Sequence, residues 1–452
     1  MRDLTHGSVV RHLFSMAAVI GIGMLFQSAY YLIDLYFVAG LGGPAVAGVG
    51  SAGNVSFLAM SASQLVAVGT TTLIAQAVGR REPEAARRVF AQSAAIAAAA
   101  GGATLLLGYA FGGPLARALA ADEPTAGFGY RYLLAYIPCL AFMFPMTALT
   151  AALRGAGLVQ PTMVAQIVAV VLNAVLAPVF VAGWGTGYPL GAFGAGLASS
   201  VASAVALLGL IAAFPRLAPE LQPHFAALRP RYAEWWRIIR MGLPVAGEFG
   251  AMFVISSVVY LVIRPFGASA QAGFGVGSRI MTSIFLPAMA IAFAVSPVVG
   301  QNVGAKRPDR VMAAFYAAAA IGSGIMLLLT FVCQWRAPLL IHIFTADPAV
   351  TADAALYLHI QSWNFVGVGL VFAASGLFQG LGNTLPSFIS SASRMVTLVL
   401  PLLIISRRPD FALPMVWHLS VASIAAQAML SMFLVWRATR GVRARAMQLA
   451  AA

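Results

Sequence analysis

The chain has 452 residues, 61% of them hydrophobic and 9% charged. Soluble domains carry about 25% charged residues, and a chain this apolar cannot cover itself with polar groups, which excludes a soluble globular enzyme. Disorder is excluded as well, because it needs low hydrophobicity and high charge. The formal net charge of +14 comes from 27 Lys+Arg against 13 Asp+Glu. It does not point to nucleic acid, because the positives sit in short segments between long apolar runs, where the positive-inside rule puts them.

Twelve apolar runs follow in chain order: 12–39, 46–78, 90–114, 127–153, 160–184, 190–214, 238–263, 270–303, 312–343, 354–379, 385–405 and 412–436. Each is long enough to cross a bilayer. Inside lipid every backbone polar group needs an internal partner, so the runs are expected as helices. The first is too long for the apolar part of a signal peptide, and no cleavable leader is expected. With both termini inside, the inner segments hold 19 Lys and Arg and the outer ones 6. That ratio predicts cytoplasmic N- and C-termini.

The longest connection, 215–237, carries prolines and four arginines and divides the chain in two. A shift of 225 residues aligns Gly42 with Gly267, Gln76 with Gln301, Pro83 with Pro308, Tyr132 with Tyr357, Gly157 with Gly382 and Pro161 with Pro386. One offset that pairs Gln, Pro and Tyr over more than a hundred residues is a repeat. The expected architecture is an all-α polytopic membrane protein. It has twelve helices in two six-helix lobes, 1–214 and 238–452, joined by a cytoplasmic linker at 215–237. Six is even, so both lobes enter from one side. Their pseudo-two-fold axis then runs along the membrane normal, and substrate sites of such transporters lie near the midplane.

Charged groups at membrane depth are costly and each carries a functional hypothesis. Two acids fall inside spans, Asp34 and Glu248. Asp34 lies about 9 Å from the outer end of the first span, and Asn173 in the fifth is about level with it. The one arginine within the spans of that lobe, Arg131, stands at the outer start of the fourth run. An unpaired buried carboxylate can exist protonated near neutral pH, as a proton-coupled carrier requires. The position 225 residues on from Asp34 is Val259, so the scaffold itself needs no acid there. Glu248, Arg279 and Arg394 all fall near mid-depth in the second lobe. An ion pair of Glu248 with one of the arginines is expected, since buried charges are normally paired. The alternative is that Glu248 binds cationic substrate or a second proton. Gln27, Tyr30, Tyr31, Glu248, Met252 and Phe253 are candidates for a cavity that takes flat cations through cation–π contacts. His359 and His418 each stand alone within a span, and Cys139 and Cys333 read as small hydrophobes. No P-loop, GxSxG, HExxH or metal-ligand cluster is present. The chain is therefore read as no enzyme, with no cofactor, driven by an ion gradient.

The opening GSVVRHLFSM…YYLIDLYFVAGLGGPAVAGVG, the segments GTTTLIAQAVGRREPEAARRV, LRGAGLVQPTMVAQIVAVVLNAVLAPVF and GAFGAGLASSVAS, and the second-half echoes FGVGSRIMTSIFLPAMAIAFAVSPVVGQNVGAKRPDR and GLFQGLGNTLPSF resemble the multidrug and toxic compound extrusion (MATE) family over nearly the whole chain. The resemblance implies export of cationic or amphipathic compounds by H+ or Na+ antiport. Its first-helix carboxylate corresponds to Asp34, its fifth-helix Asn to Asn173 and its sixth-helix hydroxyl to Ser199. Three positions depart from the family pattern. Ala177 stands where an Asp often follows the Asn, and Val19 stands where a proline often bends the first helix. Glu248 lies before the position of the Na+-coupled branch's acid, which falls nearer Met252, and the tenth span has no acid. The expectation is therefore an H+-coupled multidrug exporter of the DinF-like branch. It is placed in the bacterial inner membrane and works as a monomer on small organic cations, with Na+ coupling as an alternative. A lipid-linked precursor flippase of the same superfamily is the rival reading; it would be expected to have a cationic cavity, for which Arg279 and Arg394 are the only hint.

Overall fold

The computed structural model describes the backbone of every residue except 121, 224–226, 228, 346 and 452, and the side chains of all of these but Tyr31, Ala52 and 441–451. Twelve helices are long and apolar enough to span a membrane. They are α1 (Val9–Ala39), α2 (Gly43–Gly79), α3 (Pro83–Leu119), α4 (Glu123–Gly155), α5 (Gln160–Ala182), α6 (Gly191–Leu217), α7 (Tyr232–Phe266), α8 (Ala268–Gly304), α9 (Pro308–Ile341), α10 (Pro348–Leu381), α11 (Leu385–Ile405) and α12 (Leu413–Arg440). Among the described residues there is no strand. The all-α architecture with twelve spans is as expected. Several helices outrun their apolar runs, because polar turns continue them: α3 opens at Pro83, in the first position that favours proline, and carries Glu84 in its first turn.

The repeat is written into the backbone. The ends of α2 and α8 are 225 residues apart. So are the positive-φ pairs Gly42 and Gly267 (101° and 95°), Arg81 and Lys306 (59° and 55°), and Gly157 and Gly382 (78° and 79°). Left-handed backbone at a non-glycine residue is uncommon. Its recurrence at Arg81 and Lys306 follows from one turn used twice, closed by Arg81 N–H to Val78 O and Lys306 N–H to Val303 O.

The helices gather into two compact units whose borders differ from the expected lobes. The first holds Met1–Asp3 and Ile22–Gly242, the second Leu4–Gly21 and Leu243–Ala452. The expected borders at 214 and 238 thus give way to borders inside helices. The physical reason is close packing at small residues. A Cβ on Gly242 would lie 2.1 Å from the Leu65 carbonyl oxygen, and one on Gly69 would lie 2.3 Å from that of Ile238. The opening turns of α7 are therefore pressed onto α2 of the first unit. The opening segment of the chain is held in the second unit in the same manner: Leu4 N–H donates to buried Gln301 (2.9 Å), Arg307 donates to the Thr5 carbonyl (2.6 Å) and Arg310 to the Gly7 carbonyl (2.9 Å).

Two helices of the second unit are irregular at depth. α10 tightens into one 3₁₀ turn at Ser362–Asn364. Backbone groups at such a turn need partners within the protein in lipid, and α9 adds side-chain donors there: Thr330 to Ser362 O (2.9 Å), which also accepts the Phe365 N–H, and Gln334 to His359 O (2.7 Å). α11 widens into a π turn at Met395–Val399, directly after Arg394.

Candidate functional site

Three helices of the first unit bring the expected polar residues together. Asp34 sits near the end of α1, Asn173 in the middle of α5 and Ser199 in the first half of α6. The Ser199 hydroxyl donates to Asp34 Oδ2 at 3.0 Å, and Asn173 Nδ2 donates to Ser199 Oγ at 3.1 Å. All three are buried; Asn173 and Ser199 are 0% exposed and Asp34 is 7% exposed. The chain of bonds runs amide to hydroxyl to carboxylate. It leaves Asp34 Oδ1 and Asn173 Oδ1 buried with no donor from the protein. A buried acceptor without a partner costs about 1–3 kcal/mol, so both oxygens favour a donor from outside the protein's own groups.

Small residues let the helices meet there. Gly194 on α6 packs on the Phe180 carbonyl of α5, and Gly196 on the Tyr132 carbonyl of α4. Tyr30, one turn before Asp34, is buried beside Ser199, Tyr136 and Cys139. Tyr132 and Tyr136 stack at 4.8 Å. Cys139 is more than a small hydrophobe: its Sγ lies 3.1 Å from Ser203 Oγ, and its N–H donates to Ser200 Oγ at 3.1 Å. Ser200 in turn donates to the Ala135 carbonyl. Tyr136, Cys139, Ser200 and Ser203 were not singled out from sequence. The signal was the run of hydroxyls at 199, 200 and 203, which share one side of α6 by helical spacing.

The remaining candidates are dispersed. Gln27 on α1, and Met252 and Phe253 on α7, are exposed within their own units. The Tyr31 side chain lies outside the described residues. Glu248 in α7 does not pair with Arg279 or Arg394: among the described residues neither arginine is within ion-pair distance of it. Its hydrogen-bonding neighbour is Ser387 of α11, and its Oε1 has no partner. Gly247 lets this part of α7 lie against the Phe388 ring. Arg394 is seven residues beyond Ser387, about 10 Å along the helix, and points to Ser420 instead (3.5 Å). Arg279 is exposed. Similar depth along neighbouring helices thus did not translate into contact. His359 faces Gln334 of α9 (3.4 Å), and His418 the Pro414 carbonyl one turn back on its own helix (2.7 Å). No group of His, Cys, Asp and Glu among the described residues could hold a metal ion.

Known proteins agree with this geometry at the level of fold and family. The MatE family model matches residues 20–179 and 244–405, one block in each half of the repeat. A "Probable multidrug resistance protein YoeA" of Bacillus subtilis is 25% identical over 376 residues, 80% of each chain. An "FAD transporter" of Shewanella oneidensis is 24% identical over 403 residues, 88% of each chain. A crystal structure of MATE in complex with MaL6 superposes with a TM-score of 0.90 at 23% identity, covering 97% of this chain and 98% of that one. With both halves of the repeat matched and twelve spanning helices in place, the chain is a multi-pass membrane transporter that belongs to the MatE family.

Proposed function

We propose that the protein is a secondary exporter of cationic or amphipathic small molecules that exchanges them for protons, with Asp34 as the proton-carrying group. The single observation behind this reading is the Asp34–Ser199–Asn173 chain, in which two buried acceptors lack a donor. A proton on Asp34 supplies the missing donor. Loss of that proton leaves one negative charge at depth, where its cost is several kcal/mol and where a cationic substrate offsets it. Substrate and proton therefore compete for one site. In the working cycle the substrate binds while Asp34 is ionised, protonation from the far side weakens that binding, and the protonated carrier returns and releases the proton inside. The names of the bacterial relatives, one a multidrug resistance protein, favour drug-like substrates. Na+ coupling is the second reading, because Asp34 Oδ1 and Asn173 Oδ1 are hard oxygen ligands of the kind Na+ also takes.

The test is ethidium efflux from proteoliposomes under an imposed pH gradient without Na+, for wild type and Asp34→Asn. Efflux that needs the gradient and is lost in the variant is the expected result. Efflux that needs Na+ instead replaces the proton in the proposal. Failure to move any cationic dye under either gradient overturns the substrate class and brings a lipid-linked substrate forward.

A further inference from the structure

The second unit carries a cluster that reverses the chemistry of the Asp34 site. The 225-residue counterparts of Asp34, Asn173 and Ser199 are Val259, Leu398 and Ile424, all apolar. One turn before Leu398 stands Arg394. Its Nη2 reaches Ser420 Oγ of α12 at 3.5 Å, and its Nε is buried with no acceptor. One turn before Ser420 on α12 is Trp417, 2% exposed, whose Nε1–H is also buried without an acceptor. On α8, Ser278 Oγ is a third buried polar atom with no partner.

These three groups converge on one residue, Tyr357 of α10. The Tyr357 ring meets Trp417 edge-on at 4.7 Å, and Phe274 stacks on Trp417 at 5.5 Å. Ser278 and Arg394 are the polar neighbours of the Tyr357 hydroxyl. The ring lies directly over Gly277, next to Ser278 in sequence, where a Cβ would come within 2.2 Å of it. No Asp or Glu among the described residues pairs with Arg394. Two acids of the unit are engaged elsewhere, Asp353 by Ser269 and Glu248 by Ser387. The cluster thus offers a guanidinium, an indole N–H and a hydroxyl against aromatic walls, with no carboxylate to accept from them.

The scaffold does not require these groups. The residues 225 positions before Arg394, Trp417, Ser278 and Ser420 are Ala169, Ala192, Gly53 and Ala195. All four donors therefore stand where the other half of the repeat has alanine or glycine. An unpaired arginine at membrane depth costs several kcal/mol, and such residues mark sites of function. The π turn that follows Arg394 is a further departure of the kind found at functional sites.

We infer that Arg394, Trp417 and Ser278 form an anion-binding site in the second unit, which takes the carboxylate or phosphate oxygens of an amphipathic ligand. The charge of Arg394 supplies the attraction, Trp417 and Ser278 supply directed hydrogen bonds, and Phe274 and Tyr357 supply the apolar wall. Two sources can present that chemistry, a soluble carboxylate or phosphate compound and the headgroup of an anionic lipid. This inference goes beyond the proton-coupled reading of Asp34 and does not depend on it.

The test uses the full-length chain in nanodiscs of phosphatidylcholine, with sodium benzoate and sodium phosphate as separate probes. Thermal unfolding and tryptophan fluorescence are followed as each replaces sodium chloride at constant ionic strength. Wild type should show a saturable rise in Tm with at least one probe. Arg394→Gln should weaken that response about 30-fold or more, as expected for removing one partner of a buried charge pair. Trp417→Phe keeps the ring and the charge and should weaken it about tenfold, and Arg394→Lys should restore part of it. Replacing a fifth of the lipid by phosphatidylglycerol separates the sources. A response seen only as added phosphatidylglycerol raises Tm in wild type but not in Arg394→Gln assigns the site to a headgroup. An equal response in wild type and Arg394→Gln, or none to either anion in either lipid, overturns the inference.

Discussion

Asp34→Asn should leave the protein at least as stable as the parent while removing its coupling. The perturbation exchanges one carboxylate oxygen for an NH2 group of the same size. In the parent, Asp34 Oδ1 and Asn173 Oδ1 are buried acceptors with no donor from the protein, while Oδ2 already receives the Ser199 hydroxyl. The amide keeps an oxygen for Ser199 and brings donors to a place that lacks them. One new buried hydrogen bond is worth about 1 kcal/mol, and the cost of holding a charge at depth disappears as well. A gain of about 1–3 kcal/mol corresponds to a rise of roughly 2–4 °C in Tm per kcal/mol for a unit of this size. Asp34→Ala is the control: it removes the same charge but supplies no donor and leaves the Ser199 hydroxyl without its acceptor. Thermal unfolding of the purified protein at pH 7.5 should therefore rank Asp34→Asn above Asp34→Ala. A drop of several degrees for Asp34→Asn, or equal values for both variants, would refute the reasoning that the site lacks a donor.

Ser199→Ala removes the hydroxyl that links Asn173 to Asp34. It should cost about 1.5–3 kcal/mol, the worth of a hydrogen bond to a charged group, and should impair proton-driven efflux, read by the dye assay. Gly242→Ala would place a Cβ 2.1 Å from a backbone oxygen of α2 and should cost about 1–3 kcal/mol through overpacking; Gly250→Ala, with nothing within 4 Å of its Cβ, should be neutral in the same melt. Thr330→Val keeps the shape but removes the side-chain donor to Ser362 O and leaves it only the Phe365 N–H; Tm should fall and amide exchange should rise around Ser362 first. Asp122 caps α4 through Thr125, whose hydroxyl and backbone N–H hold its carboxyl below the usual carboxylate range. A depressed folded-state value means the cap contributes above the unfolded carboxylate range and is lost as pH falls through the folded value. Protection factors at the start of α4, exchange taken relative to the intrinsic rate at each pH, should therefore fall on acidification in wild type, and be low at neutral pH already in Asp122→Ala.

Depth and half of the repeat were legible in the sequence, and rotation about each helix was not. Counting from helix ends placed Asp34 and Asn173 level, and the structure joins them through Ser199. The same counting placed Glu248, Arg279 and Arg394 level in the second half, and there it misled. Helices that are apolar all round carry no stripe to say which side faces which neighbour. Ser278 and Arg279 differ by a hundred degrees of rotation, enough to set the hydroxyl of the first beside Tyr357 and expose the second. Tyr136 escaped notice and Cys139 read as a small hydrophobe for a related reason: the hydroxyls they meet, Ser56 of α2 and Ser200 and Ser203 of α6, come near only through packing. The unit borders escaped because a run of polar residues and prolines marks where the chain leaves the membrane, whereas compactness is decided by where glycines let backbones touch.

The position of those borders bears on cutting the chain. A nick in the connection at 222–223 would part the polypeptide where it is most accessible by composition, yet it would not yield two self-sufficient pieces. The N-terminal fragment would carry away residues 4–21, which belong to the other compact unit, and would lack 232–242, which belong to its own. The C-terminal fragment would be short of its partner segment in the mirror sense. Each fragment expressed alone would expose the faces that Gly69 and Gln301 now cover. Co-expressed, the two should copurify as an interlocked pair, each completing the other.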